Sequence, residues 1–228
     1  MKRFCVVTCE HGGNRVPDRF RPLFAGRWQL LRSHEGWDRG ALRMAREMAA
    51  ALGGDHHFSV VSRLLVDLNR SLGATDNFSS ITAALVPELQ QEILDTCYHP
   101  YRHAVERSIA DAIERGERVL HLSCHSFAEE LNGKRREAAV GILYDPVRVT
   151  EDGIAQRWFE ALREALPEQE ARFNYPYLGV DDGLVTALRG RYPDPLYAGI
   201  ELEVRRDVIT EARTRQKLVD TLSAVLAA

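Results

Sequence analysis

Short runs of β-branched and apolar residues alternate with amphipathic helical stretches along nearly the whole of this 228-residue chain. That alternation constrains the fold more than any other feature, because repeated strand–helix units pack as a mostly parallel sheet with helices on both faces. Residues 4–9, 60–68, 118–124, 140–144, 172–175 and 197–204 read as strands. Between them, a helix opens at Asp38, a candidate N-cap, and carries Leu42, Ala45, Ala49 and Leu52 on one face. Gly53-Gly54 ends it. Residues 87–97, 100–115, 151–165 and 210–226 read as further helices, and 184–188 as a single turn, whereas residues 12–37 carry no regular pattern. No internal repeat or Pro/Ser-rich linker divides the chain. The expectation is one α/β domain over residues 1–228, with three α/β/α layers around a mostly parallel mixed sheet.

Composition narrows the function. With 45% hydrophobic and 28% charged residues the chain is globular rather than disordered. A net charge of −3, with basic residues scattered except for short clusters such as Lys134-Arg135-Arg136, offers no footprint for nucleic acid. No apolar run approaches the roughly 20 residues that span a bilayer, so no membrane association is expected. The opening Met1-Lys2-Arg3 lacks the pattern of a secretory signal, which points to the cytoplasm. Cys5, Cys9, Cys97 and Cys124 form no CxxC pair and read as small buried hydrophobes in a reducing compartment.

In open α/β sheets ligands bind beyond the carboxyl ends of the strands. Those ends carry Glu10-His11, Asn69-Arg70 and His125-Ser126, and the strand at 197–204 presents Glu201 and Glu203 on one face. Two imidazoles, a guanidinium and several carboxylates thus meet on one rim. They could supply the three N/O ligands of a catalytic zinc and a carboxylate to take a proton from water. Each has a plainer reading: either His as a hydrogen-bonded loop residue, Asp38 as a helix cap, Asn69-Arg70 as a surface turn, Glu203 as a solvent-facing residue on an edge strand. Arg63, Asp67 and Arg70 are out of place in a buried strand, which favours the functional reading.

The stretches VTCEHGGNRVP (7–17), HEGWDRGA (34–41), SRLLVDLNRS (62–71), HPYRHAV (99–105), HLSCHSF (121–127), GILYDP (141–146), NYPYLGVDDGL (174–184) and GIELEVRRD (199–207) together resemble the N-formylglutamate amidohydrolase family, in that family's order. The resemblance covers nearly the whole chain and implies a fold like that of the zinc-dependent exopeptidases. Val66-Asp67-Leu68-Asn69-Arg70 and His125-Ser126 also resemble zinc carboxypeptidase motifs, where an Asn-Arg pair holds a substrate carboxylate and the His binds metal. Glu203-Val204-Arg205 resembles the stretch carrying their general base. One departure stands out. Those enzymes use HxxE for two ligands, and the position after His11 that should be Glu is Asn14.

The resemblance therefore implies His11, Asp38 and His125 around one Zn²⁺, with Asp38 supplying the carboxylate and His34 as its substitute, and with other divalent metals left open. Glu203 is the implied base. Arg70 with Asn69, helped by Arg63 or Arg102, is the implied carboxylate clamp. The expected partner is a small N-acyl amino acid with a free carboxylate, N-formylglutamate above all, cleaved to formate and glutamate. Alternatives are a deacylase- or carboxypeptidase-like hydrolase of another N-acyl amino acid or short peptide, and a metal-free binding protein for acidic amino acids. Nucleotide binding lacks both GxGxxG and a P-loop.

Overall fold

The computed structural model describes residues 3–131 and 133–228. Its strands are β1 (Arg3–Cys9), β2 (Asp55–Phe58), β3 (Arg118–Phe127), β4 (Glu130–Leu131), β5 (Lys134–Arg135), β6 (Val140–Leu143), β7 (Ala171–Phe173) and β8 (Tyr197–Arg205). The helices are α1 (Trp28–Arg32), α2 (Ala41–Leu52), α3 (Pro87–Ile93), α4 (His99–Glu114), α5 (Val149–Ala165), α6 (Leu184–Arg189), α7 (Arg206–Ile209) and α8 (Ala212–Ala227). Six strands form one sheet in the order β2-β1-β3-β8-β6-β7, and β4 and β5 form a separate ribbon. β2, β1, β3 and β8 run parallel, whereas β6 lies antiparallel to β8 and parallel to β7. The mostly parallel mixed sheet expected from the alternation is present. No helix among the described residues is long and apolar enough to cross a membrane.

Side-chain alternation divides the sheet into two unlike faces. On one, Val7, Leu122, Ile200 and Leu202 pack against Met44 and Met48 of α2, Trp158 of α5 and Leu222 of α8. On the other, Val6, Val119 and Tyr197 pack at the amino ends of their strands against Val105 and Ile109 of α4 and Leu184 of α6. Further along this second face the residues turn polar yet stay buried: Thr8 and Glu10, then His121, Ser123 and His125, then Glu201 and Glu203. Buried polar groups persist only where they are paired or where they serve a ligand. A polar face across three adjacent strands thus marks the site before any chemistry is assigned.

Two expectations need correction. Residues 60–68 are not a strand. The strand beside β1 is Asp55–Phe58, and residues 60–68 form turns with one isolated bridge, Val61 to Arg15. The Ser62 hydroxyl explains the break, since it donates to the Gly36 carbonyl and accepts the Leu64 amide, closing a local turn instead of a ladder. Leu65 and Leu68 instead fill a separate apolar cluster with Phe20, Phe24, Leu31 and Ile93. The second correction concerns α2. Its N-cap is Gly40, at φ 92°, and not Asp38, whose side chain points into the site. Smaller differences are a tight helical turn at Asp18–Phe24 and α1, both within the stretch read as patternless, and a β3 that continues through His125-Ser126.

Candidate metal and substrate site

β2 lies on one side of β1 and β3 on the other, so the chain reverses its direction of spread at the β1/β3 boundary. Crevices form at such reversals. His11 leaves the end of β1 there, followed by Gly12-Gly13. A Cβ on Gly13 would lie 2.7 Å from the Val60 carbonyl oxygen, so only glycine lets the two segments approach this closely. Asp38 is fixed through its backbone, its amide donating to the His11 carbonyl at 2.9 Å. The Arg206 guanidinium holds the neighbouring Trp37 carbonyl at 3.0 Å.

The result is a compact, buried group. Asp38 Oδ2 lies 2.9 Å from His125 Nδ1 and 3.4 Å from His11 Nδ1, and single ligand atoms of the three residues fall within 4.8 Å of one another. The far nitrogens are also engaged. His11 Nε2 faces Asp67 Oδ1 at 2.7 Å, and His125 Nε2 faces Ser123 Oγ at 2.9 Å and Glu10 Oε2 at 3.2 Å. Carboxylates on both Nε2 atoms hold protons there, so the Nδ1 atoms turned toward Asp38 are the ones that would exchange a proton for a cation. Metal-binding imidazoles are typically oriented in this way. Glu10 is itself held by the Tyr101 and Ser123 hydroxyls, and Asp67 by Arg63.

The charges favour a cation. Burial alone would drive His125 down, but Asp38 and Glu10 raise its pKa well above the ordinary imidazole value. Burial would likewise raise the carboxyl groups of Glu10 and Asp67, yet His125 holds the first, and Arg63 with His11 the second, well below the usual range. Burial pushes Glu203 up to about 7, reinforced by Asp38 and Glu201. Its Oε2 is buried with no hydrogen-bond partner, and it sits beside His125 in the β3–β8 register. Glu201, two residues back, accepts from Asn69 Nδ2 at 3.2 Å. Five carboxylates around two imidazoles and one arginine, with an unpartnered oxygen among them, are a donor set suited to a divalent cation.

A cavity of about 130 Å³ opens over this group, lined by His11, Asp38, Arg63, Asn69, Arg70, His125, Glu201 and Glu203 and by Tyr177, Leu178, Asp181 and Asp182. Seven of the eight residues singled out for the site in the sequence therefore meet at one crevice. Arg102 does not. It is buried outside it, donating to the Leu68 carbonyl at 3.3 Å and lying against Tyr98 in a separate hollow. His34 is exposed in the loop before Asp38 and lines no part of the crevice. Asn69 has its amide committed to Glu201 and the Leu184 amide. Three participants were not assigned from the sequence. Glu10 and Asp67 orient the imidazoles, and Tyr177 forms part of the wall. The first two were visible as polar residues in or beside apolar runs.

The sequence model of the N-formylglutamate amidohydrolase family matches residues 4–210. The chain belongs to that family. Among solved structures, gene product Atu2144 from Agrobacterium tumefaciens superposes with a TM-score of 0.84 at 23% identity, covering 98% of this chain and 90% of that one. An N-formylglutamate amidohydrolase from Ralstonia eutropha JMP134 superposes with a TM-score of 0.69 at 18% identity, covering 99% and 92%. At these identities the likeness speaks for the fold. No curated protein sequence matches the chain.

Proposed function

We propose that this member of the N-formylglutamate amidohydrolase family is a zinc-dependent hydrolase of the amide bond of N-acyl amino acids, with N-formylglutamate as its substrate. The observation that carries the reading is the placement of buried, unpartnered Glu203 Oε2 beside the His11–Asp38–His125 group. A divalent cation held by those three residues supplies the means to acidify water and polarise an amide carbonyl. Glu203 then takes the proton that the attacking water gives up. As the C–O bond forms and the C–N bond breaks, it passes that proton to the departing amine nitrogen. A carboxyl pKa near neutrality suits both halves of that exchange. Arg63 and Arg70 reach the crevice wall and provide guanidinium donors for the substrate α-carboxylate. The products are formate and glutamate. We place the reaction in the cytoplasm, in keeping with four buried cysteines that form no disulfide.

The test is a hydrolysis screen of N-formyl, N-acetyl and N-succinyl amino acids with chelator-treated protein, before and after zinc is restored. Zinc-dependent release of formate from N-formylglutamate is the expected result. Full turnover in the chelated protein, or none with any compound after zinc is bound, overturns the reading.

A further inference from the structure

A substrate with two carboxylates needs a second cationic contact beyond the Arg63 and Arg70 donors assigned to its α-carboxylate, and each of those guanidiniums already shares its charge with a carboxylate of the protein. Arg63 is bonded to Asp67 at 2.7 Å, and Arg70 to Asp76 at 2.7 Å. Arg136, which directly follows β5, differs. Among the described residues no carboxylate lies within ion-pair distance of its guanidinium. The group is held by aromatic contacts, 5.3 Å from the ring centroids of both Phe127 and Tyr177, and its Nη2 donates to the Tyr177 hydroxyl at 3.1 Å. Its backbone is tied as well, the Arg136 amide to the Glu129 carbonyl and its carbonyl to Arg205. Tyr177 lines the crevice that Arg63 also lines. An arginine stacked on aromatic rings keeps its charge and has most of its N–H groups free for an anion.

We propose that Arg136, presented by Tyr177 at the crevice mouth, reads the side-chain carboxylate of an acidic N-acyl amino acid. The inference rests on the hydrolase reading above and assigns its substrate preference to a residue outside the catalytic group. Arg136 touches neither the three candidate ligands nor Glu203, so its loss leaves metal content unchanged and acts on KM more than on kcat.

The experiment compares zinc-loaded wild-type protein with Arg136→Gln and Arg136→Lys on N-formylglutamate and N-formyl-leucine. Binding of glutarate and butyrate by calorimetry gives a readout independent of turnover. Loss of one charge-assisted contact lowers kcat/KM for N-formylglutamate in Arg136→Gln by roughly 10- to 100-fold. N-formyl-leucine changes little, glutarate weakens in parallel while butyrate does not, and Arg136→Lys recovers part of the loss. Equal losses on both substrates, or none on either, overturn the proposal, and melting curves identify a variant that fails simply to fold. If the wild type binds glutarate through Arg136 but hydrolyses no formyl amino acid, the hydrolase reading falls and the carboxylate site stands.

Discussion

Replacing Glu10 by Gln separates a residue that orients the site from one that binds within it. Glu10 is fully buried, and its Oε2 receives both the Ser123 hydroxyl, at 2.7 Å, and the edge of His125 that faces away from Asp38, at 3.2 Å. The amide keeps the shape and can still accept one of these bonds, but it removes the negative charge behind the imidazole. A carboxylate in that position makes the ring a better ligand, and losing it typically costs 10- to 100-fold in metal affinity, or about 1.4–2.8 kcal/mol. The structure adds a pH signature. His125 is held protonated by Asp38 and Glu10. A cation must displace that proton, so affinity rises with pH until the raised pKa is passed. With Glu10 neutralised the imidazole pKa falls and the proton competes less at low pH. Competition titrations with a zinc-binding dye at two pH values should therefore show the larger deficit at the higher pH and a narrower one at the lower. Equal zinc affinity in the two proteins at both pH values would refute the orienting role. A deficit that widens at low pH would refute the assigned direction of proton coupling.

Glu203→Gln should retain zinc and lose turnover by about 10²–10⁴-fold, whereas Glu201→Gln, whose carboxylate is engaged by Asn69, should lose much less. Equilibrium dialysis with steady-state kinetics checks both. The base works only when ionised, so turnover should fall as pH drops through the Glu203 pKa, about 7 before a cation is bound and lower once one is. A pH–rate profile without an acid limb would count against Glu203. Asp38→Asn should weaken zinc binding and also lower the melting temperature of the metal-free protein, because it removes the buried carboxylate paired with His125 even though Gly40 caps α2. His34→Ala should leave zinc content unchanged.

The sequence carried the sheet and most of the site because both depend on local patterns. Glu201 and Glu203 share a face by strand alternation, and His11 and His125 declare themselves as imidazoles closing apolar runs. β8, however, lies between β3 and β6 rather than at an edge, so the two glutamates are buried instead of solvated. Asp38 fitted a cap and a ligand equally well, since only the backbone turn through Gly40 distinguishes them. Residues 60–68 looked more like a strand than the true neighbour of β1, Asp-His-His-Phe, which carries no apolar pattern because it is a half-buried edge. Ser62 was the only local hint of a turn. Arg102 was grouped with the clamp by residue type alone, and its distance from the crevice depends on where α4 packs. Arg136 gave no signal because its partner Tyr177 is 41 residues away along the chain.

β8 joins β3 to β6, yet it is the last strand of the sheet to be synthesised. During translation the two portions of the sheet leave the ribosome with their inner edges open toward each other, and nothing earlier in the chain fills the gap. Unpaired strand edges of that kind are prone to aggregation until the final strand pairs with both. All three candidate cation ligands precede that strand and the proposed base lies on it. On the proposed roles, a nascent chain holds its candidate metal ligands before its base, and the strand that closes the sheet also completes the proposed catalytic group.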